Sequence, residues 1–394
     1  MPCAQAAARK EREEYIRKNR RDLDLYDGIT DPVEIIKIYH APRNYDPFIN
    51  SIPYPIPIDQ LYIRLSPEQL DRLTQYACGL VDSDQHRNGE QITRCLAAFT
   101  KANINGILQT LVDHNIFWPS MPFHKASSEI RDALIARVET DSKNRNHILL
   151  ALAWIGDHRV VDLFGHWRHH PPNWRNSLYI PPEDYSREAG WEISSDGQRR
   201  NLYFQKCFHL KKGKSESPDG FVAITPREDI CPWCNSRLTN LFDLRPSLIG
   251  FHEIGMSPDR FQILTCEVCT DFGPIFGTLN KNGEGHWSPM NLKPEYLPND
   301  IENWGRLPQD CLFVAEPRNP FFAADQFLPT SFSQMGGHPT WIQNADYPKC
   351  PGCSKTMMFL AQIAHEEIED FSDGTFYAFI CTSCQVTATV YQQT

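Results

Sequence analysis

No run of about 18 apolar residues occurs in this 394-residue chain, so it offers no candidate for a membrane-spanning helix. The N-terminal stretch Met1 to Arg21 is charged where a secretory leader would be apolar. Also missing are a phosphate-binding loop, a G-x-G-x-x-G turn, a G-x-S-x-G elbow and an H-E-x-x-H helix. His365-Glu366-Glu367-Ile368-Glu369 approaches the last but has Glu where the second His must stand. A zinc deaminase would need an H-x-E upstream of its Pro-Cys-x-x-Cys, whereas His252-Glu253 lies downstream of Cys231. Positive charge is scarce too: 39 Lys and Arg stand against 49 Asp and Glu, a net charge of −10. General nucleic-acid binding, which needs clustered cations, is therefore not expected, and a basic protein partner suits the balance better. The exception, Arg9 to Arg21, is a run of mixed sign that reads as a solvated helix or loose arm.

Cysteine is what the chain has. Eight of thirteen cysteines form four Cys-x-x-Cys knuckles: Cys231/Cys234, Cys266/Cys269, Cys350/Cys353 and Cys381/Cys384. A knuckle points two sulfurs at one centre, and two knuckles make the closed tetrahedral shell that Zn2+ prefers, with no position open to substrate. Two structural zinc sites are the expectation. The knuckles lie 35 residues apart from Cys231 to Cys266 and 31 apart from Cys350 to Cys381, which fits a ribbon with an inserted hairpin. Whether they pair within or across these sets stays open at this point. Thiols in metal spacing, with no export signal, point to the reducing cytoplasm. Cys3, Cys78, Cys95, Cys207 and Cys311 remain, and buried free thiols are expected of them.

The two sets read as copies. Cys231-Pro-Trp-Cys234 is followed by Leu238, Leu241 and Leu244, and Cys350-Pro-Gly-Cys353 at the same offsets by Met357, Leu360 and Ile363. Phe261 matches Phe376 before the second knuckle, and Ile275-Phe276 matches Val390-Tyr391 after it. A period of 115 to 119 residues is too long for a solenoid and suits a pair of pseudo-symmetric subdomains. Two unrelated ribbons are the alternative.

The fold expected is α+β, with helices before strands. Residues 1–60 form a charged and Pro-rich arm, 61–170 a helical domain, 171–290 the first β-rich zinc subdomain and 291–394 the second. Over 28–60 the prolines around Ile52-Pro53-Tyr54-Pro55-Ile56-Pro57 disfavour helix and central strand, so an extended path is expected. A helix then starts with Ser66 as N-cap, Pro67 in its first turn and Gln69 closing a capping box. Its apolar face is Leu70, Leu73, Tyr76, Ala77 and Leu80. Further helical patterns cover 91–102, 104–113 and 128–140. Beyond 174, Asp196-Gly197 marks a hairpin between Trp191-Glu192-Ile193 and Leu202-Tyr203-Phe204. Lys211 to Gly220 reads as a mobile loop, and Val386, Ala388 and Val390 as the inner face of a half-buried terminal strand.

The segment from Asn146 to Phe164 carries the strongest helical pattern. Gly156 can end one helix in the left-handed conformation and Asp157 cap the next. Ile155-Gly156-Asp157-His158-Arg159-Val160 resembles the Leu-Gly-Asp-x-Arg/Ala-Val turn of a HEAT repeat, which implies stacked helical hairpins with a face for holding a protein. An ordinary helical bundle is the alternative. His166, His169 and His170 share a face at a spacing able to ligate metal, though histidines also suit the negative end of a helix. Cys207 and His209 could pair as nucleophile and base, but alternate residues of a strand share a face for packing reasons alone.

Near the C-terminus, Gln334-Met335-Gly336-Gly337-His338-Pro339-Thr340-Trp341-Ile342-Gln343 leads through Cys350-Pro351-Gly352-Cys353 to Met357-Met358-Phe359-Leu360-Ala361-Gln362-Ile363. This resembles the bacterial YwqG-type family of unknown function, in which a Gly-Gly-x-Pro-x-Trp segment precedes a Phe-Leu-x-Gln strand. It is also similar to the programmed cell death 2 proteins, which share that entry and zinc knuckles. The resemblance covers about residues 331–394. It implies a binding protein: an immunity or adaptor component that masks a protein partner, or a chaperone-like factor for a ribosomal or other basic protein. No enzyme is expected, the remaining alternative being an unrecognised site near the histidines.

Overall fold

The computed structural model describes residues 2–83, 85–213, 220–249, 252, 254, 259–298, 307–370 and 372–393. Their contacts divide the chain into two units, Met1–Pro119 and Ser120–Thr394.

The first unit contains α1 (Pro2–Asn19), β1 (Arg21–Leu23), α2 (Pro32–His40), β2 (Ile49–Ser51), α3 (Ile58–Ile63), α4 (Pro67–Val81), α5 (His86–Phe99) and α6 (Asn105–Asp113). The mixed-charge run is the solvated end of α1, with Lys18 paired to Glu14 at 3.0 Å. Over 28–60 the structure corrects the extended path, because α2 stands there. Pro32 falls in its first turn, where a missing N–H costs nothing, and Asp31 accepts from Val33 N at 3.0 Å. The prolines of 53–57 lie outside it. The capping box at α4 is as the sequence predicts: Ser66 Oγ accepts from Gln69 N at 3.3 Å, and Ser66 N donates to Gln69 Oε1 at 2.9 Å. Leu73, Ala77 and Leu80 are buried below it.

In the second unit come α7 (Ser128–Val138), α8 (Arg145–Ile155) and α9 (His158–His169), then β3 (Trp191–Ile193) and β4 (Arg199–Asn201). Gly156 ends α8 at φ 50°, and Asp157 caps α9 by accepting from Val160 N at 3.1 Å. These helices fall in the unit that carries the sheet, and α8 and α9 pack on the β3–β4 hairpin. Trp191 explains why: its indole donates to Ala153 O at 2.8 Å and its ring stacks on Phe164 at 5.9 Å. The Asp196-Gly197 hairpin forms, but Trp191 pairs with Asn201, so Leu202–Phe204 falls beyond the paired strand.

The remaining strands are β5 (Cys207–Lys212), β6 (Gly220–Ile230), β7 (Arg237–Leu244), β8 (Phe261–Thr265), β9 (Ile275–Leu279), β10 (Gly285–Trp287), β11 (Cys311–Arg318), β12 (Gln334–Gly336), β13 (Met358–Ala364), β14 (Thr375–Cys381) and β15 (Val386–Gln392). Among the described residues they make one antiparallel sheet in the order β10-β9-β15-β14-β13-β12-β5-β11-β6-β7-β8. The expected mobile loop falls largely on 214–219, outside the described residues.

This sheet curls over itself. Phe242, Leu244, Phe261 and Ile263 from one end share a core with Leu360, Ile363, Phe376 and Ile380 from the other. Gln262 N of β8 donates to Gly283 O at 2.8 Å, and Thr389 Oγ1 of β15 donates to Thr265 Oγ1 of β8 at 2.9 Å. The terminal strand is therefore not half-buried, as expected from alternation, because Thr387 and Thr389 are as covered as Ala388. A threonine face reads as solvent-facing in sequence, yet here the Thr389 hydroxyl pairs across two layers, while Thr387 Oγ1 is buried without a hydrogen-bond partner among the described residues.

The opposite face of β13–β15 carries a second core, in which Trp341 stacks on Tyr377 at 4.9 Å and meets Tyr347 edge-on at 5.0 Å. The Gly-Gly turn delivers that tryptophan. Gly336 and Gly337 sit at φ 64° and 70°, and a Cβ on Gly337 would lie 2.5 Å from Cys207 Sγ. His338 is fully enclosed between Trp154 and Tyr203, with Nε2 3.0 Å from Glu188 O. Burial holds its imidazole neutral, pushed down to about 4, and does the same to His124.

Two outcomes follow from this packing. Gly337→Ala must displace the Cys207 sulfur and strain the backbone, so it should destabilise the second unit by about 2 kcal/mol or more in urea unfolding. Gly197→Ala, at φ 79° with open space around it, should cost only about 1 kcal/mol. For His338 and His124 the unfolded chain binds the extra proton first. Stability should therefore be full above about 6.5 and fall toward pH 4 by roughly 1.4 kcal/mol per pH unit per histidine. Urea midpoints across that range test this, with a shallower pH slope expected for His338→Gln.

Candidate metal centres

Each tetrad assembles at strand ends. Cys231 and Cys234 occupy the turn from β6 into β7, and Cys266 and Cys269 the turn from β8 toward β9. Cys350 and Cys353 precede β13, and Cys381 and Cys384 span the β14–β15 turn. Within each set the four sulfurs lie within 4.8 Å of one another. The pairing left open by sequence is thus within each set.

The spacing has a chemical meaning. Cys231 and Cys269 sulfurs are 3.8 Å apart, Cys234 and Cys266 3.5 Å, and Cys353 and Cys381 3.7 Å. A tetrahedron with metal–sulfur arms of ~2.3 Å has edges of about 3.8 Å, whereas a disulfide would need about 2.05 Å. Both sets of residues fit a metal ion held by four thiolates.

The backbone shapes the knuckles alike. Asn235 N donates to Cys231 O at 2.9 Å and Ser354 N to Cys350 O at 2.7 Å, with Asn235 and Ser354 left-handed at φ 61° and 60°. Cys231 N then bonds Ser236 O, and Cys350 N bonds Lys355 O, each at 2.8 Å. Trp233 N adds a donor to Cys231 Sγ at 3.4 Å. Without a cation the crowded thiols share protons unevenly. Hydrogen bonds from Cys266 and Cys269 hold Cys231 well below the usual thiol range. The Lys355 amide lowers Cys353 to about 7, while bonding to Cys353 pushes Cys384 up to about 12. A dication replaces those protons, so binding releases them.

The tetrads differ in cover. In the first only Cys234 is partly exposed, whereas in the second both Cys353 and Cys384 are, with Cys350 and Cys381 buried. Trp233, which meets Trp287 edge-on at 5.1 Å, stands over the first site. Its counterpart in the second is Gly352, where a Cβ would lie 3.4 Å from Cys384 Sγ.

Over 398 aligned positions the sequence is 47% identical to an uncharacterized protein, YpfL, of Salmonella typhimurium strain LT2, covering 100% of this chain and 93% of the relative. The chain belongs to the YpfL family. No family model matches it, and no solved structure does.

The other candidate residues of this YpfL-family chain are arranged less chemically. His166 and His170 stack at 4.8 Å, but His166, His169 and His170 are exposed and form no metal-binding group among the described residues. Cys207 is buried, its thiol pushed up by burial and bonded to Gln334 Oε1 at 3.5 Å; desolvation lowers His209 to about 4. Cys95 and Cys311 are buried thiols outside any disulfide and Cys78 is partly exposed; Cys3 and Glu253 lie outside the residues whose side chains are described. His365 pairs with Glu369 at 3.1 Å. Glu367, which enters the sequence reading only within the H-E-x-x-H near-match, has a structural role instead. Its carboxylate is desolvated, which raises it, and accepts from Phe332 N and, at 3.2 Å, Ser333 N. Only the structure reveals this, since its partners lie more than thirty residues away.

The difference in cover gives the outcome of a chelator experiment. Metal should leave in two kinetic phases, the fast one from the Cys350 tetrad. Cys384→Ser should remove that phase and lower metal content from about two to about one per chain. Acidification should speed both phases by protonating thiolates. Metal analysis and absorbance of the released complex report each result.

Proposed function

We propose that this chain is a protein-binding module held in shape by two structural zinc ions, working in a reducing cytoplasm as an immunity or adaptor protein that masks a basic partner. One observation carries the reading. Four sulfurs close around each centre, leaving a metal no coordination position for substrate or water, which is the arrangement of structural sites and not of catalytic ones. A sulfur tetrahedron also accepts iron; a colourless protein with zinc in the metal analysis separates the two.

An internal duplication is part of the proposal. Beyond the matched knuckles, Ile230 pairs with Arg237 around Cys231 as Lys349 pairs with Thr356 around Cys350. A bulge follows at Leu241 in β7 and at Leu360 in β13, each ten residues after the first cysteine. Register and bulge would have no reason to coincide in unrelated ribbons. Kinship with the YwqG-type and programmed cell death 2 proteins draws on the same region, since Gly336-Gly337 and Trp341 occupy a turn and a core anchor. A HEAT-like role for α8 and α9 draws on the Gly156-Asp157 caps.

A net charge of −10 favours a basic partner through electrostatic complementarity. The full chain, tagged and isolated from its native host, should carry a basic protein at about one to one, released as salt is raised. A partner that is toxic when expressed alone establishes the immunity reading, and a ribosomal protein the chaperone-like one. Isolation of a chain lacking any stoichiometric partner, or a partner of acidic charge held equally at high salt, overturns the proposal.

A further inference from the structure

A cleft of about 840 Å³ opens beside the second tetrad, walled by the turn Pro182–Ala189, the β3–β4 hairpin, Arg168 of α9 and both knuckles. Its charges do not follow the acidic balance of the chain. Two lining ion pairs cancel, Arg200 with Glu192 at 2.7 Å and Arg187 with Asp184 at 3.4 Å. What remains is Arg168, Arg199, Lys349 and Lys355 against Glu183 and Asp196, an excess of two positive charges. Asp196 is already used, accepting from Ser194 Oγ and from Gln198 N at 3.4 Å. Arg199 is engaged as well, donating to Gly156 O and to Asn201 Oδ1 at 3.2 Å and lying over the Trp191 ring at 5.1 Å. Arg168 donates only to main-chain oxygens, Ile193 O at 3.2 Å and Ser194 O at 3.4 Å. Lys349 and Lys355 are exposed, with no carboxylate partner among the described residues.

The two tetrads supply an internal comparison. Lys349 and Lys355 flank the second site at one residue before and five after Cys350; the same offsets around Cys231 hold Ile230 and Ser236. Both lysines are thus particular to the knuckle that borders the cleft, and Lys355 O is bonded to Cys350 N at 2.8 Å, so a metal-held turn fixes them. Among the described lining residues Ile193 is the sole apolar side chain, the others being cations, hydroxyls such as Ser354 and Ser383, Gln198 and four acids, two of them ion-paired. A ligand with a large apolar body would find nothing to bury against, whereas one rich in anionic oxygens would find Arg forks, Lys charges and hydroxyl donors.

We propose that this cleft binds a small, multiply charged anion bearing phosphate or carboxylate oxygens, with Lys349 and Lys355 as its metal-positioned contacts and Arg168 on the same lining. The proposal is independent of the partner-binding reading. Calorimetric titration of the full, metal-loaded chain with tripolyphosphate and with citrate tests it, and which probe binds distinguishes the two sources of anionic oxygen. Saturable one-to-one binding of at least one is expected, weakened tenfold or more in the double variant Lys349→Glu/Lys355→Glu and weakened by added salt. Should that variant lose metal, Arg168→Glu, which lies on α9 away from the knuckles, decides by the same loss of affinity at unchanged metal content. Absence of saturable binding of both anions at millimolar concentration overturns the proposal, as does affinity unchanged in Arg168→Glu together with a metal-loaded double lysine variant.

Discussion

The convergence of four sulfurs at each of two points is the constraint on which the β-rich unit depends. Strands β8 and β9 are five residues each, and a ribbon so short gains little from its own ladder. Each tetrad fastens two strand turns that are neighbours in the fold but distant in sequence, so a bound ion orders both at once. Structural zinc in small modules is worth roughly 10–16 kcal/mol, comparable with the whole ~5–15 kcal/mol stability of an ordinary domain. Knuckle turns thereby set where the strands start, and the hydrophobic core fills the space between them.

That core is built on both faces of β13–β15. Alternation divides β14 cleanly: Phe376, Ala378 and Ile380 join the core shared with β7 and β8, whereas Tyr377 and Phe379 join the core around Trp341. A sheet covered on both sides needs two sources of cover. Curling of the sheet supplies one and the Gly-Gly turn with its tryptophan supplies the other, which is why a Cβ at Gly337 has nowhere to go. The same double cover explains neutral His338 and desolvated Glu367, polar groups bonded to main-chain atoms in places water does not reach.

Local signals in the sequence were read well because their physics is local. Ser66, Pro67 and Gln69 need only one another to start a helix, Gly156 and Asp157 only the ends they cap, and a Cys-x-x-Cys turn only four residues to aim two sulfurs. Errors came where a distant segment decides. Pro32 looked like a breaker until its place in the first turn of α2 was known. Thr387 and Thr389 looked solvent-facing until β8 was found across them. Trp191 ties α8 and α9 to the β3–β4 hairpin through Ala153 O and Phe164, a contact without sequence signature, and Glu367 finds its donors at Phe332 and Ser333. The matching of Leu241 with Leu360, drawn from apolar spacing alone, falls on a bulge in both strands, a coincidence that spacing could not foresee.

The two tetrads share a backbone and differ in what surrounds it. Trp233 covers the first site, and its neighbours Leu238, Leu264 and Leu297 make an apolar shell that excludes water. Gly352 opens the second, and Lys349 and Lys355 bring charge to its edge. Burial strengthens thiolate–metal attraction by lowering the local dielectric and denies access to chelator and proton alike. A less covered tetrad forgoes some of that protection, but its neighbouring surface residues can face solvent and meet a ligand. Two tetrads of unequal cover could therefore divide the labour, the more covered one fastening the turns around β6–β8 and the more open one presenting side chains from a turn that a bound metal would hold rigid.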